Sequence, residues 1–270
     1  MKLGLQLYSV RDDLEKDFLG TLKKVKAMGY DGGELAGLYG YSGKDVKAMF
    51  EEAGLVPISA HVAYQDLMVD IEETVKIYNE IGCKYIAIPY LPNELRYGTE
   101  KYSEVVENIK KIGEVCNKYE IELLYHNHDF EFELTTNNEY ALDELYTEVS
   151  ADLLKTEIDT CWVNVAGENP AEYVRKYTGR APVVHLKDFD GEKNANMYKL
   201  IGIESEEKEV VNTFEFRPLG YGKQNIQSIV DAAKDAGANW IIAEQDEPSM
   251  GKSRLECAEM SIKYMKNINY

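Results

Sequence analysis

Cysteine is scarce in this sequence. Cys83, Cys116, Cys161 and Cys257 are the four thiols in 270 residues, and they form no CxxC or CxxxxC pair. That spacing excludes a thiolate-zinc site of the structural kind, and each is expected to be a buried structural thiol. Basic residues are also in short supply, with 30 lysines and arginines against 48 acids and a formal charge of −18. A field of that sign repels phosphate backbones and argues against a nucleic-acid partner. No apolar run approaches the roughly 20 residues a membrane helix needs. The opening MKLGLQLYSVRDD meets charge too early for a signal peptide, so the expected location is cytoplasmic, with no membrane partner. No GxGxxG follows the first apolar run, which removes the mark of a dinucleotide fold.

Apolar residues make up 44% of the chain, enough for a large core, and 20 tyrosines offer flat faces with hydroxyls. Short apolar runs at Leu3–Tyr8, Gly32–Ala36, Val56–His61, Tyr85–Pro89, Ile121–His128, Leu153–Asp159, Pro182–Lys187 and Trp240–Asp246 read as strands. Helix-period stretches separate them, such as Leu142, Leu145, Tyr146 and Val149, or Val105, Ile109, Ile112 and Cys116 with one residue of drift. Asp70 with Glu73 fits a capping box. Asn169-Pro170 with Glu172 gives an N-cap, an N1 proline and an N3 acid. Met28-Gly29 and Ala236-Gly237 fit glycine C-caps. Eight alternating βα units predict an α/β fold: one (β/α)8 barrel over residues 1–270, with its active site at the C-terminal strand ends. The interval after Pro182–Lys187 is long and includes the charged stretch Ile203–Val210, a length usual for functional loops.

Four successive strands turn polar at those ends. Alternation places His126 and His128 on one face of the fifth strand, with Glu131 and Glu133 just beyond. The sixth ends at Asp159, followed by Trp162. The seventh sets His185 and Lys187 on one face, and the eighth does the same with Glu244 and Asp246. An acid at a strand end commonly caps the next helix, and a lone histidine is commonly a core residue. Four adjacent strands sending such groups to one rim would cost several kcal/mol without a compensating partner. One divalent cation removes that cost. Oxygen and nitrogen donors without sulfur suit Mn2+, Mg2+, Co2+ or Zn2+.

The runs YHNHDFEF, EIDTCW, HLKDFD and AEQDEP, with GLQLYSVRD at the start and AHV at His61, resemble the xylose isomerase-like barrel superfamily, and within it the sugar phosphate isomerase/epimerase group. The likeness spans nearly the whole chain. It implies a divalent ion held by Glu, Asp, His and Glu from successive strand ends. Asp159, His185 and Glu244 match directly. Ketose 3-epimerases carry the first glutamate within the fifth strand, where this chain has His126, so the nearest acid, Glu131, is taken as the fourth ligand. The histidine-rich strand is more similar to keto-inositol dehydratases and to enzymes that eliminate from 3-keto sugars.

The chemistry expected is removal of a proton α to a carbonyl through a metal-stabilised enediolate, in a sugar isomerase or epimerase. The alternative is a lyase acting on a keto-inositol or 3-keto glycoside. His126 and His128 are the expected bases, since imidazole titrates near working pH. Glu244 serves as both ligand and acid/base group, and Lys187 as positioned cation or proton donor. His128 has an equal claim to orienting a ligand, and Lys187 to pairing internally with Glu157. His61 and Glu34 are expected to touch substrate hydroxyls, Trp162 or Tyr8 to stack on a sugar face, and Arg217 to clamp an anion. Gly220 and Gly222 of LGYG either receive a phosphate or form a plain tight turn. The expected partner is a small sugar or polyol; a homo-oligomer or a partner subunit is compatible with the sequence. An abasic-DNA endonuclease, also found on this barrel, conflicts with the charge, and a non-catalytic sugar-binding role is the remaining rival.

Overall fold

The computed structural model describes residues 1–194, 197–201 and 213–270. In chain order its strands are β1 (Lys2–Gln6), β2 (Gly32–Ala36), β3 (Val56–His61), β4 (Tyr85–Ile88), β5 (Glu122–His126), β6 (Lys155–Asp159), β7 (Val183–Leu186), β8 (Asp188–Asp190), β9 (Glu215–Arg217) and β10 (Trp240–Ala243). Among the described residues, β1 to β7 and β10 run parallel and close into a barrel, with β1 paired to both β2 and β10. Strands β8 and β9 form a separate antiparallel hairpin. The expected (β/α)8 architecture is the one observed. The long interval before β10 holds this hairpin and the helix Ile226–Ala236. The charged stretch Ile203–Val210 lies outside the described residues.

Local signals explain most boundaries. Asn169 caps Pro170–Lys176 by accepting from Ala171 and Glu172 N–H groups. Gly29 and Gly237 end their helices at φ 112° and 81°, where a side chain would be strained. Asp70 accepts from the Glu73 N–H at 3.0 Å, while boxes with both halves formed occur at Ser42/Asp45 and Ser253/Glu256. β1 stops at Gln6, two residues short of the expected end, because the Gln6 side chain accepts from Tyr8 N–H and opens a 3-10 turn. All four cysteines are buried and free.

The barrel interior is layered. At its N-terminal end, Ile58, Tyr85, Leu124, Val183, Trp240 and Ile242 pack into an apolar plug; full burial of side chains of this kind stabilises by about 1.5–3 kcal/mol each. Gly4 and Gly32 make room for it, since a Cβ at either position would overlap Ile58. Gly33 pairs with Pro57 but Glu34 with Ser59, so Ile58 is an extra residue in β3. This bulge re-phases the strand so that Ser59 and His61 also face inward. Above the plug the interior becomes ionisable.

Candidate metal centre and active site

Two charged layers lie above the plug, one residue pair apart on each strand. In the lower layer, Glu34 Oε1 accepts from Gln6 Nε2 at 2.7 Å and Oε2 from the Ser59 hydroxyl. His185 Nε2 lies 2.8 Å from Glu34 Oε1 and 3.3 Å from Glu157 Oε1. His61 Nε2 lies 2.6 Å from Glu157 Oε1, and His126 Nδ1 3.2 Å from the same oxygen. Glu34, Glu157 and His185 are fully buried. Burial and the Glu34 charge push Glu157 up to about 7. Burial acts against the Glu34 carboxylate too, but the His61 and His185 imidazoles more than offset it and hold it low. His185 is the reverse case: burial lowers it, and Glu157 and Glu34 raise it well above the usual imidazole range.

The upper layer sits at the strand ends. Asp159 plays two parts with its two oxygens. Its Oδ1 accepts from Cys161 and Trp162 N–H at 2.8 and 3.3 Å and so caps the next helix. Its Oδ2 is buried with no hydrogen bond among the described residues, and burial lifts the carboxyl to about 7 against the pull of Lys187. His185 Nδ1 lies 2.8 Å from Glu244 Oε2, and His126 Nε2 lies 3.6 Å from Asp159 Oδ2. His126, Asp159, His185 and Glu244 thus bring one ligand atom each within 4.8 Å of one another. Two imidazole nitrogens and two carboxylate oxygens, one of them orphaned in the interior, fit a divalent ion. The lower group His61, His126, Glu157 and His185 converges equally; there the three imidazoles crowd around Glu157 Oε1, whereas the upper group lies at the strand ends beside the cavity.

Lys187 lies fully buried beside this cluster, its Nζ 2.5 Å from Asp246, 3.4 Å from Glu244 and 3.6 Å from Asp159. It does not pair with Glu157, which sits one layer lower. Burial works against its charge, but these three acids raise it well above the ordinary lysine range, so it is a fixed cation. A cavity of about 470 Å3 opens above, lined by Tyr8, His61, Asp66, Tyr90, His126, His128, Lys187, Glu244 and Asp246 among others. A larger groove of about 620 Å3 lies on the barrel flank. Its Asp143 is consumed by Lys176 at 2.6 Å, Tyr173 at 2.7 Å and Tyr177, and it shares no lining residue with the cavity above the strand ends.

Several sequence expectations land elsewhere. Glu131 is outside the ligand cluster: its Oε1 accepts from the Tyr125 hydroxyl and its Oε2 from the His128 N–H, both at 2.8 Å. Tyr125 faces outward from β5, so it draws Glu131 behind the strand, and His126 takes the fourth place in the cluster. Glu34, expected to touch substrate hydroxyls, is fully buried and enclosed by Gln6, Ser59 and His185. Trp162 packs with Phe189, Phe214 and Phe216 behind the cavity wall, its ring 5.5 Å from Lys187 Nζ. Arg217 is paired with Glu215 at 2.8 Å and approaches Asp190 at 3.8 Å. His61 and His128 do line the cavity, and the buried Nδ1 of His128 has no hydrogen-bond partner among the described residues. Gln6, Ser59, Asp66 and Tyr90 were missed. The first two are single polar residues within apolar strands; the others lie outside the strands and show no period.

A closed parallel barrel that gathers ionisable groups at its C-terminal strand ends has the architecture of a barrel enzyme. The chain belongs to the xylose isomerase-like TIM barrel family, whose model matches residues 22–268. It is similar to an inosose dehydratase of Clostridium botulinum, 23% identical over 93% of this chain and 90% of that protein. Among solved structures it is similar to a sugar phosphate isomerase/epimerase from Parabacteroides distasonis, with TM-score 0.79, 23% identity and 98% of each chain covered. It is also similar to the IolI protein with a bound zinc atom, with TM-score 0.72 and 16% identity over 99% of this chain and 97% of that one.

Proposed function

We propose that this chain is a divalent-metal-dependent enzyme that removes the proton α to the carbonyl of a keto sugar or keto-polyol, giving an isomer or epimer. The observation that carries this reading is the convergence of His126, Asp159, His185 and Glu244, two of which, His126 and Glu244, line the cavity. A divalent ion held by these four, Mn2+, Mg2+, Co2+ or Zn2+, would supply Lewis acidity toward the carbonyl oxygen. The zinc in the IolI structure supports the choice of ion class.

The chain's own groups divide the remaining work. His128 is kept neutral, since burial and then the Lys187 charge hold it well below the usual imidazole range. Its unpartnered Nδ1 is the base that takes the α proton and returns it. Lys187 fixes positive charge beside the reacting carbon, where negative charge develops. Tyr8 and Tyr90 present aromatic faces to the sugar, and His61 a ring nitrogen.

A second reading, dehydration, is favoured by Asp246. Burial raises this carboxyl to about 6 despite Lys187, and it lines the cavity, so it can protonate a departing β-hydroxyl near neutral pH. The inosose dehydratase relatives agree with this outcome.

The test is incubation of the manganese-loaded protein with a keto-inositol and with free ketoses in deuterated water, followed by mass spectrometry. Deuterium at the α carbon supports the shared step, retention of mass otherwise marks the isomerase, and loss of 18 Da, the mass of one water, marks the dehydratase. Failure of Asp159→Ala with Glu244→Ala to weaken manganese binding would sink the metal centre itself.

A further inference from the structure

The sequence offers two places for a substrate phosphate, the LGYG loop and Arg217, and each already holds an anion of the protein's own. Lys187 points into the barrel, so Asp188, the next residue, points out behind it. The Asp188 carboxylate is fully buried and collects four backbone amides. Its Oδ2 accepts from Gly220 and Gly222 N–H at 2.9 Å each. Its Oδ1 accepts from Phe189 N–H at 2.9 Å and Gln224 N–H at 3.1 Å. The cradle is cut to this carboxylate, since a Cβ on Gly222 would collide with Asp188 Oδ1. It lies in the loop after the seventh barrel strand, where barrels of this architecture often take a phosphate. Arg217, on the neighbouring strand β9, is neutralised by Glu215 and Asp190.

The lining of the cavity, which Asp188 reaches only through its neighbour Lys187, points the same way. Asp66, Glu244 and Asp246 line it. Lys187 is the one lysine or arginine among its described lining residues, and its Nζ is 2.5 Å from Asp246. Carboxylates accept hydrogen bonds from sugar hydroxyls but repel a phosphate dianion. Resting on the keto-sugar reading above, we infer that Asp188 is a specificity-determining residue: it occupies the anion cradle permanently, and the substrate is an unphosphorylated polyol.

Calorimetric titration of the full-length protein tests this with two probes, the second on its manganese-loaded form. The first is inorganic phosphate, added to the metal-free forms of wild type and of Asp188→Gly, because a bound manganese ion would itself capture phosphate. The variant is expected to bind phosphate at least tenfold more tightly than wild type, because four amides lose their internal acceptor. Equal binding by the two proteins would overturn the proposal, as the cradle would then not be filled by Asp188. The second probe needs no variant and so stands even if Asp188→Gly fails to fold. D-fructose is expected to bind wild type at least tenfold more tightly than D-fructose 6-phosphate, and a preference for the ester overturns the inference. If neither sugar binds, the keto-sugar reading fails, whereas the phosphate titration still decides the role of Asp188.

Discussion

His185 is held from both sides: its Nε2 lies 2.8 Å from Glu34 Oε1 and its Nδ1 2.8 Å from Glu244 Oε2. The two carboxylates hold the ring in place and favour its charged form; with an ion at Nδ1, the carboxylate below would choose Nε2 as the nitrogen that keeps its proton. Glu34→Gln keeps the volume but removes that choice. Manganese affinity is expected to fall roughly 10–100-fold, the usual effect of losing a group that orients a metal ligand. Calorimetry on the folded variant reads it directly. An unchanged affinity would mean that Glu34 only fills space.

Lys187 neutralises Asp159, Glu244 and Asp246 at once. Lys187→Met strands three carboxylates in the interior, which costs about 3–5 kcal/mol in the ion-free protein. A bound divalent ion replaces part of the missing charge, so the loss should shrink when manganese is present. Urea denaturation with and without manganese gives both values, and identical losses would refute the shared electrostatics.

Glu131 carries a pH dependence of its own. Burial raises its carboxyl from 4.5 to about 7, against the His128 amide and the Tyr125 hydroxyl, which pull it down. The folded state binds the Glu131 proton more tightly than the unfolded chain does, so the stabilising contribution is complete below about pH 4.5 and is lost as pH climbs through 7. Glu131→Gln has no such loss. Between pH 5 and pH 8 the variant should gain about 2–3 kcal/mol relative to wild type. Equal pH profiles for the two proteins would show that Glu131 titrates normally.

Asp246→Asn separates proton removal from departure of the hydroxyl. If Asp246 is the acid, water release should drop roughly 10²–10⁴-fold, while deuterium exchange at the α carbon continues. Parallel loss of both signals would assign Asp246 to the first step instead.

The barrel was legible because its strands are short apolar runs with clear helix caps between them, and seven of the eight expected ends fall within two residues of the observed ones. Trp240–Asp246 overran because Glu244 and Asp246 keep the inward alternation after the ladder ends at Ala243. The same alternation correctly brought His126, Asp159, His185, Glu244 and Lys187 to one rim. It misplaced Glu131, because a residue beyond the strand end follows the loop and not the pleat, and here the Tyr125 hydroxyl decides where it goes. Glu34 was read as facing substrate because the depth of a residue within a barrel is not encoded in its alternation. The ring of Trp162 turns behind the wall for a related reason: the helix that begins at Thr160, capped by Asp159, carries it away from the cavity.

Removing Ile58 from the chain would restore plain alternation to β3 and swing Ser59 and His61 toward the helices. Glu34 would then lose a hydroxyl donor and Glu157 an imidazole, and the disturbance would pass through His185 to Glu244 on the far side of the barrel. A single surplus residue, in a strand that contributes none of the four proposed ligands, is thus what lets an apolar tube carry a charged floor.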